Sequence, residues 1–522
     1  MFDPVELEIV RNILTAVAEE MGGVLQRTAF SPNIKERRDY SCAVFDAAGD
    51  VAVMADHMPV HLGSMPMSVK AALSELDLKP GDVAIVNDPF RGGTHLPDIT
   101  LVTPIFLRGG DAPDLFVANR AHHSDVGGMA AGSMPLATEI YQEGLIIPPL
   151  KIVRAGEIDK QLLAIILANV RTPDERRGDL NAQIAANALG VNRLREIAER
   201  YGVEELLGMV KEIQDYAERI TRRFISELAD GDFAFSDALD DDGFSDKPVP
   251  IKVRISIRGD EALVDFTGSA GETVGGINAN LAVSLSAVLY VFKAIIGAEV
   301  PVNSGILRPI SLVAPEGSIV NARHPRAVAG GNVETSQRIV DVLLGALFEA
   351  APEKIPAASA GTMNNVAFGG IDPRNGKPFA YYETIAGGGG AGAQGPGLSG
   401  RHSHMTNSLN TPIEALEHAL PVRLERYRLR RLSGGGGRNR GGDGIERAFR
   451  FLTAAEATLL ADRHKRGPFG LQGGKDGTPG EAVIEKKDGS VIRLASKGSC
   501  SLAKGDVLVI RTPGGGGFGK PA

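Results

Sequence analysis

The stretch between His95 and Asp125 gathers side chains that are suited to catalysis. It contains His95-Leu96-Pro97-Asp98 and then Asn119-Arg120-Ala121-His122-His123-Ser124-Asp125. A histidine and a carboxylate three residues apart can share one divalent cation, and a third ligand from His122 or His123 leaves a position open for water or substrate. If residues 115–123 form a strand, the adjacent histidines point to opposite faces and only one of them binds that cation.

The same residues could instead form an ordinary hydrogen-bonded pair without a metal. Neighbouring His and Asp side chains often form a hydrogen-bonded pair, and His-x-x-Asp on a loop is weak evidence taken alone. Half of the ten histidines nevertheless fall in the N-terminal stretch, which favours a cation site there. Further candidate ligands are Asp39, Asp88, His57 and His61.

A second polar cluster runs from Arg401 to Pro412 and follows a glycine-rich stretch. In an extended segment His402 and His404 share a face, so they are candidates for ligands, acid–base groups or substrate contacts. The alternative is a polar loop that leads into a helix starting at Pro412, with Asn410 or Thr411 as the cap.

Glycine is abundant, with 64 residues, and it occurs in blocks at 387–390, 434–437 and 514–517. Successive backbone N–H groups without side chains can bind anions, so these blocks are candidate phosphate contacts. The chain contains neither a P-loop nor a convincing G-x-G-x-x-G strand–helix unit, so the sequence predicts no nucleotide site of its own.

Composition narrows the class of protein. The 522 residues are 43% hydrophobic, which excludes wholesale disorder, and the net charge of -8 opposes a general nucleic-acid or anionic-membrane surface. Two distant cysteines exclude a disulfide framework and fit a reducing compartment. The N-terminus lacks a signal-peptide pattern and no apolar run is long enough to span a membrane. We therefore expect a cytoplasmic protein.

The helices and strands indicated by the sequence pattern predict an α+β, multi-domain fold. Asp3 and Pro4 signal a first helix, strands are expected at 40–45, 51–55, 82–86, 99–106 and 115–118, and a helical stretch is expected over 173–228. We interpret the acidic segment 230–246 as a solvated loop, followed by a hairpin over 249–266 and a buried helix over 281–296. The predicted division is an N-terminal α+β domain at 1–228, a central helical and hairpin region at 229–430, and a β-rich, glycine-loop region at 431–522.

Several motifs resemble the hydantoinase B/oxoprolinase family. They are Glu36-Arg37-Arg38-Asp39-Tyr40-Ser41-Cys42-Ala43-Val44-Phe45-Asp46, Asn87-Asp88-Pro89-Phe90 through Gly93-Thr94-His95-Leu96-Pro97-Asp98, His122-His123-Ser124-Asp125-Val126-Gly127-Gly128, the Asn407-to-Glu417 cluster and the terminal Thr512-Pro513-Gly514-Gly515-Gly516-Gly517-Phe518-Gly519. The likeness covers essentially the whole chain.

The resemblance implies a subunit that works with a hydantoinase A-type partner, which has an actin-like ATPase fold and binds the ATP. Members include ATP-dependent N-methylhydantoinase, 5-oxoprolinase and caprolactamase, and related subunits occur in acetone and acetophenone carboxylases. In the carboxylase relatives a His-x-x-Asp pair and a later His hold a divalent metal. Carried over, these positions are His95, Asp98 and His122 or His123, with Asp39 as a further contributor and zinc, manganese or iron as the metal.

The resulting hypothesis is ATP-dependent opening of a cyclic amide within a hetero-oligomer. The partner phosphorylates the amide oxygen, and Asp125, His122, His402 or His404 moves protons at this subunit's site. One alternative is carboxylation of a phosphoenol made from a ketone, as in acetone carboxylase. A second alternative is a non-catalytic scaffold that shapes the partner's site.

Overall fold

A computed structural model describes residues 3–55, 57–298 and 300–521 of the chain. The first helix, α1, spans Pro4–Thr28, and the Asp3 side chain accepts a hydrogen bond from the Val5 N–H at 2.9 Å. The N-cap signal in the sequence is therefore confirmed.

The N-terminal region is built around a seven-stranded sheet with the order β2-β1-β5-β4-β3-β6-β7. Its strands are β1 (Tyr40–Asp46), β2 (Val51–Met54), β3 (Val83–Val86), β4 (Asp98–Ile105), β5 (Leu115–His122), β6 (Leu150–Arg154) and β7 (Glu157–Ile158). The helices that accompany it are α2 (Pro32–Lys35), α3 (Ser64–Glu75), α4 (Lys160–Ala168), α5 (Pro173–Tyr201) and α6 (Val203–Ser226). Apolar residues of α1, α5 and α6 pack against β1 and β5 in one core.

The central region has a four-stranded sheet with the order β11-β10-β9-β8. Its elements are β8 (Gly231–Leu239), β9 (Val249–Arg258), β10 (Glu261–Asp265), α7 (Leu281–Ile296), β11 (Ile310–Val313) and α8 (Ser336–Leu347), which directly follows a π-helical turn at Gly331–Thr335. The inner face of this sheet and the two helices share one apolar core.

The prediction of a solvated loop over 230–246 is wrong for its first half. Residues Gly231–Leu239 form β8, which pairs with β9 along its whole length. The acidity that argued against a strand is neutralised at Asp237, where Arg338 and Arg463 lie 2.6 and 2.7 Å from one carboxylate oxygen.

The remaining chain forms two further sheets, with the orders β13-β12-β16-β19 and β14-β15-β20-β17-β18. The elements are β12 (Asn365–Ile371), β13 (Pro378–Glu383), α9 (Ile413–Ala419), β14 (Val422–Arg430), β15 (Gly444–Phe451), β16 (Ala455–Leu460), β17 (Glu481–Glu485), β18 (Val491–Arg493), β19 (Lys497–Leu502) and β20 (Val507–Arg511). The multi-domain α+β class is confirmed. The predicted division at residues 430 and 431 falls within the antiparallel pair β14–β15, and the division into domains stays a prediction.

The glycine blocks pack against one another instead of forming open anion sites. A Cβ added at Gly388, Gly442 or Gly515 would lie 2.1 Å or closer to a backbone atom of another glycine-rich or neighbouring segment. Many of their N–H groups donate to carbonyls within this bundle, among them Gly389 to Leu398, Gly435 to Gly515, Gly515 to Gly442 and Gly517 to Lys475. These N–H groups are occupied, so the expectation that they bind phosphate is wrong for them.

Two smaller expectations concern thiols and membranes. Cys42 is buried and both cysteines are free. Among the described residues, none of the helices combines the length and apolar character that crossing a membrane requires.

Candidate metal centre

Strand pairing brings the predicted ligands together. Asp98 is the first residue of β4 and His122 is the last residue of β5, and the two lie directly opposite each other in the antiparallel register. His95 precedes Asp98 in a turn closed by the Asp98 N–H, which donates to the His95 carbonyl at 3.1 Å. The His-x-x-Asp spacing and the sheet register therefore converge on one point.

One potential ligand atom from each of His95, Asp98 and His122 lies within 4.8 Å of the others, and all three side chains are buried. His95 Nε2, Asp98 Oδ1 and His122 Nε2 have no hydrogen-bond partner. Leaving a buried polar atom unpaired costs about 1–3 kcal/mol. One such atom on each of three grouped residues indicates a site that is kept for a ligand.

The other atoms of His95 and Asp98 are held by neighbouring groups. Asp98 Oδ2 lies 3.1 Å from His95 Nδ1 and 3.3 Å from His61 Nε2, and it accepts a hydrogen bond from the Thr94 hydroxyl. His61 is in turn fixed through Nδ1, which lies 2.9 Å from Ser41 Oγ. These contacts fix the side chains so that Asp98 Oδ1 and His95 Nε2 are left free.

The His122 ring is fixed in two directions. The side-chain amide of Asn33 is hydrogen-bonded to His122 Nδ1 at 3.0 Å. The Tyr382 ring stacks on His122 with centroids 4.4 Å apart and planes 9° from parallel. Metal-binding histidines commonly have their second nitrogen held in this way, which orients the ring.

The electrostatics match what a cation needs from its ligands. Burial raises the pKa of Asp98, but His95 and His61 outweigh it and hold the pKa well below its usual range. Burial lowers the pKa of His122 well below its ordinary value, so its imidazole is neutral. A carboxylate and neutral imidazoles are the forms that bind divalent metals, and this nitrogen–oxygen donor set suits zinc, manganese or iron.

Asp39 and His123, the other predicted ligands, lie differently. Burial raises the pKa of Asp39 to about 6, and its carboxylate is 3.6 Å from the Arg37 guanidinium. His123 Nε2 lies 2.9 Å from Gln183 Oε1, so this ring belongs to a contact with α5. The structure thus groups His122, and not His123, with His95 and Asp98, as strand alternation requires.

Asp125 is engaged in a structural network. Its carboxylate accepts hydrogen bonds from the N–H groups of Gly127, Gly132 and Arg171 and pairs with the Arg171 guanidinium at 2.8 Å. These partners favour a loop-fixing role, and proton transfer by Asp125 stays a prediction.

The histidines of the second cluster do not join the first three. His404 Nδ1 lies 3.4 Å from the Tyr290 hydroxyl, and its Nε2 lies 3.9 Å from Asp341. Burial and then Arg37 lower the pKa of His402 to about 3, and its Nε2 has no partner. Both are neutral imidazoles, and their catalytic role stays a prediction.

Sequence reasoning missed the residues that hold the site from a distance. Arg37 donates to the Tyr382 carbonyl and to the hydroxyls of Thr384 and Ser408, joining the first region to the second polar cluster. Asn280 caps α7 and donates to the carbonyls of Pro89, Gly93 and Thr94, which fixes the turn that carries His95. The position of Arg37 within the Glu36–Asp46 motif was the available signal, whereas a lone Asn280 before a helix offered none beyond its cap.

Comparisons with known proteins show what this chain is similar to. The chain is 39% identical to 5-oxoprolinase 1 of Arabidopsis thaliana over 542 residues, covering 99% of this chain but 42% of that protein. It superposes on the crystal structure of the ATP-dependent caprolactamase from Pseudomonas jessenii with a TM-score of 0.92 and 28% identity, covering 100% of this chain and 92% of that one. An acetone carboxylase structure shares the fold, with a TM-score of 0.91, 20% identity, and coverage of 99% and 76%.

A family model described as Hydantoinase B/oxoprolinase matches residues 3–521. That match, the 5-oxoprolinase relative and the motifs around His95 and His122 agree with one another. The chain belongs to the Hydantoinase B/oxoprolinase family.

Proposed function

We propose that this chain is the ring-opening subunit of an ATP-dependent cyclic amide hydrolase and works with a hydantoinase A-type ATPase subunit. The observation that carries the proposal is the set of three buried, unpartnered donor atoms on His95, Asp98 and His122. Its support from the comparisons is the match to nearly the whole length of one caprolactamase chain. The chain spans 42% of the length of the 5-oxoprolinase relative.

The chemistry starts from the stability of the amide. Resonance makes the ring carbonyl a poor electrophile, and transfer of the ATP γ-phosphoryl group to its oxygen on the partner subunit gives an activated imidate phosphate and ADP. Water adds to that carbon, the ring C–N bond breaks as the nitrogen takes a proton, and a second water releases phosphate. Cyclic amide, ATP and two waters thus become the open-chain amino acid, ADP and phosphate.

His95, Asp98 and His122 would hold a divalent cation in this subunit. When bound, such a cation supplies Lewis acidity, which lowers the pKa of water and stabilises negative charge on oxygen. His61, Thr94 and Asn33 keep the three ligand side chains in place through their second polar atoms. Candidates for proton transfer are His402 and His404, whose buried Nε2 atoms have no hydrogen-bond partner.

The test is a substrate screen with the cognate partner. The complex is assayed for ATP-dependent turnover of hydantoin, 5-oxoproline, caprolactam and acetophenone, each with and without bicarbonate. We expect ring opening of at least one cyclic amide, with ADP formed in step and no need for bicarbonate. Turnover of the ketone alone, in a bicarbonate-dependent way, would contradict the proposal and identify a carboxylase.

A matched pair of variants separates a catalytic subunit from a scaffold. His95→Ala removes a proposed ligand, whereas His57→Ala removes another N-terminal histidine that is half-buried and lies outside the cluster. We expect the first variant to abolish ring opening while complex formation persists, and the second to retain it. Equal activity of His95→Ala and wild type would support a scaffold.

A further inference from the structure

Tyr382 contacts the candidate metal centre without offering a ligand. It lies in β13, in the central part of the chain, about 260 residues after His122 in sequence, yet the two rings stack at 4.4 Å. Its side chain is 1% exposed, and the contact is therefore a packed, water-excluded one.

The Tyr382 ring is itself held by a chain of hydrogen bonds. Its hydroxyl donates to Asn365 Oδ1 at 2.7 Å, and Asn365 Nδ2 donates to Glu334 Oε1 at 2.9 Å and to the Leu460 carbonyl at 3.0 Å. Glu334 Oε1 also accepts from the Met363 N–H at 3.1 Å. The ring that packs on His122 thus cannot swing away from it without breaking this chain.

The backbone of Tyr382 is fixed as well. Arg37 donates to its carbonyl at 3.0 Å, and the same guanidinium lies 5.0 Å from the ring centre, within the range of a cation–π contact. Arg37 also donates to Asn33 Oδ1, and Asn33 is the residue bonded to His122 Nδ1. The face and the edge of the His122 ring are therefore held by one connected set of groups.

We infer that Tyr382 is a positioning residue that sets the plane of the His122 imidazole for cation binding, with Asn365 and Glu334 anchoring its hydroxyl. The inference rests on the proposed metal site. Groups that orient a metal-binding histidine typically change cation affinity by about 10–100-fold when they are removed. Removing such a group should therefore weaken cation binding more than it destabilises the fold.

The neighbouring tyrosine provides the control. Tyr381 is also buried, and its hydroxyl also makes one hydrogen bond, to Thr411 Oγ1 at 2.8 Å. Because successive strand residues point to opposite faces, its ring packs on Phe368 in a different core. A substitution at Tyr381 therefore matches the packing loss at Tyr382 without touching His122.

The experiment titrates Mn²⁺ or Zn²⁺ alone into the metal-free full chain by calorimetry, with the thermal unfolding midpoint measured alongside. We expect Tyr382→Leu to weaken cation binding about 10–100-fold and Tyr381→Leu to leave it unchanged, although both lower the midpoint. Tyr382→Phe keeps the stack and should weaken binding only about 2–10-fold, the equivalent of one hydrogen bond. Tyr381→Phe should have no effect on affinity.

The results distinguish a failure of the Tyr382 role from a failure of the metal site itself. If wild type binds a cation and the Tyr382 and Tyr381 variants bind it equally well, Tyr382 has no positioning role and the metal site stands. If wild type binds no cation, the metal site and the inference both fail. Where the leucine variants do not fold, the two phenylalanine variants, which keep the rings, decide the question.

Discussion

Two buried polar regions of this molecule are built in opposite ways. In the central ion network, each charge faces a countercharge: Arg338 lies 2.9 Å from Asp462, Lys497 lies 2.7 Å from the same carboxylate, and Arg463 lies 2.7 Å from Asp341. In the candidate metal centre, an ionised Asp98 and two imidazoles are grouped instead, and each of the three side chains has one atom without a hydrogen-bond partner.

The two regions differ in what their buried polar groups do: paired charges stabilise the fold, whereas unpartnered atoms are available to bind a ligand. The central ion network joins β8, α8 and the segments after β16 and at β19, so its charges hold elements together. The candidate metal centre lies on two adjacent strands, β4 and β5, whose apolar side chains are packed in the cores on either side. Breaking the first region should therefore cost folding free energy, whereas breaking the second should cost cation binding.

The largest expected effect on folding follows Lys497→Met. This substitution leaves Asp462 with one fewer buried cation, and removing one partner of a buried pair costs about 3–5 kcal/mol. The measurement is the free energy of unfolding by denaturant. Lys465→Met is the control, because Lys465 is 43% exposed in its pairs with Asp241 and Asp246 and should cost less than about 1 kcal/mol. Equal losses in the two variants would mean that the central ion network does not stabilise the fold.

The adjacent histidines give the next contrast. His122→Gln should lower cation affinity by about 100-fold or more, above the roughly 10–100-fold typical of groups that only orient a ligand. His123→Gln should leave affinity unchanged, since His123 contacts Gln183 on the other side of the strand. Calorimetric titration of both variants decides the point. A larger loss in His123→Gln would reverse the ligand assignment.

Glu143 extends the comparison, because its carboxyl is buried and no cation among the described residues contributes to the shift of its pKa. Burial raises its pKa to about 8, although the N–H groups of Ala329 and Val328 donate to Oε1. The pKa of Glu143 in the folded protein lies above the ordinary 4.5. The contribution of its neutral form to the stability of the fold is therefore fully present below about pH 4.5 and is lost as the pH rises to about 8. Relative to wild type, Glu143→Gln should gain stability across this window by up to about 1.4 kcal/mol per pH unit.

Unfolding free energies of wild type and Glu143→Gln at pH 5 and pH 8 provide the measurement. We expect the difference between the two proteins to grow with pH in favour of the variant. A difference that stays constant over this range would show that Glu143 is ionised in the folded protein already at the lower pH.

Local signals in the sequence pointed to the residues that form the candidate metal centre. His-x-x-Asp spacing named His95 and Asp98, and the period of a strand required that His122 and His123 face opposite ways. Which histidine joins the cluster depends on the register of β4 against β5, a long-range pairing that spacing does not contain. Asn33, Arg37 and Tyr382 escaped notice for the same reason, since their contacts cross from about 90 to more than 340 residues of chain.

The fold was predicted where the pattern was local. The capped helix α1, the first five strands of the first sheet and the buried α7 followed from caps and periodicity, whereas β6 and β7 were not predicted. The strand β8 was missed because its carboxylates are neutralised by arginines about 100 and 226 residues away. The glycine bundle was missed because backbone-to-backbone packing of several segments has no side-chain signature.

The most direct test of the central claim is the cation content of the purified full chain, measured by elemental analysis for wild type and Asp98→Asn. We expect about one equivalent of a divalent cation per wild-type chain and a near-complete loss in the variant, because a bound metal needs the ionised carboxylate. A wild-type chain that takes up no cation even after incubation with zinc, manganese and iron, or an Asp98→Asn chain that keeps its cation, would contradict it.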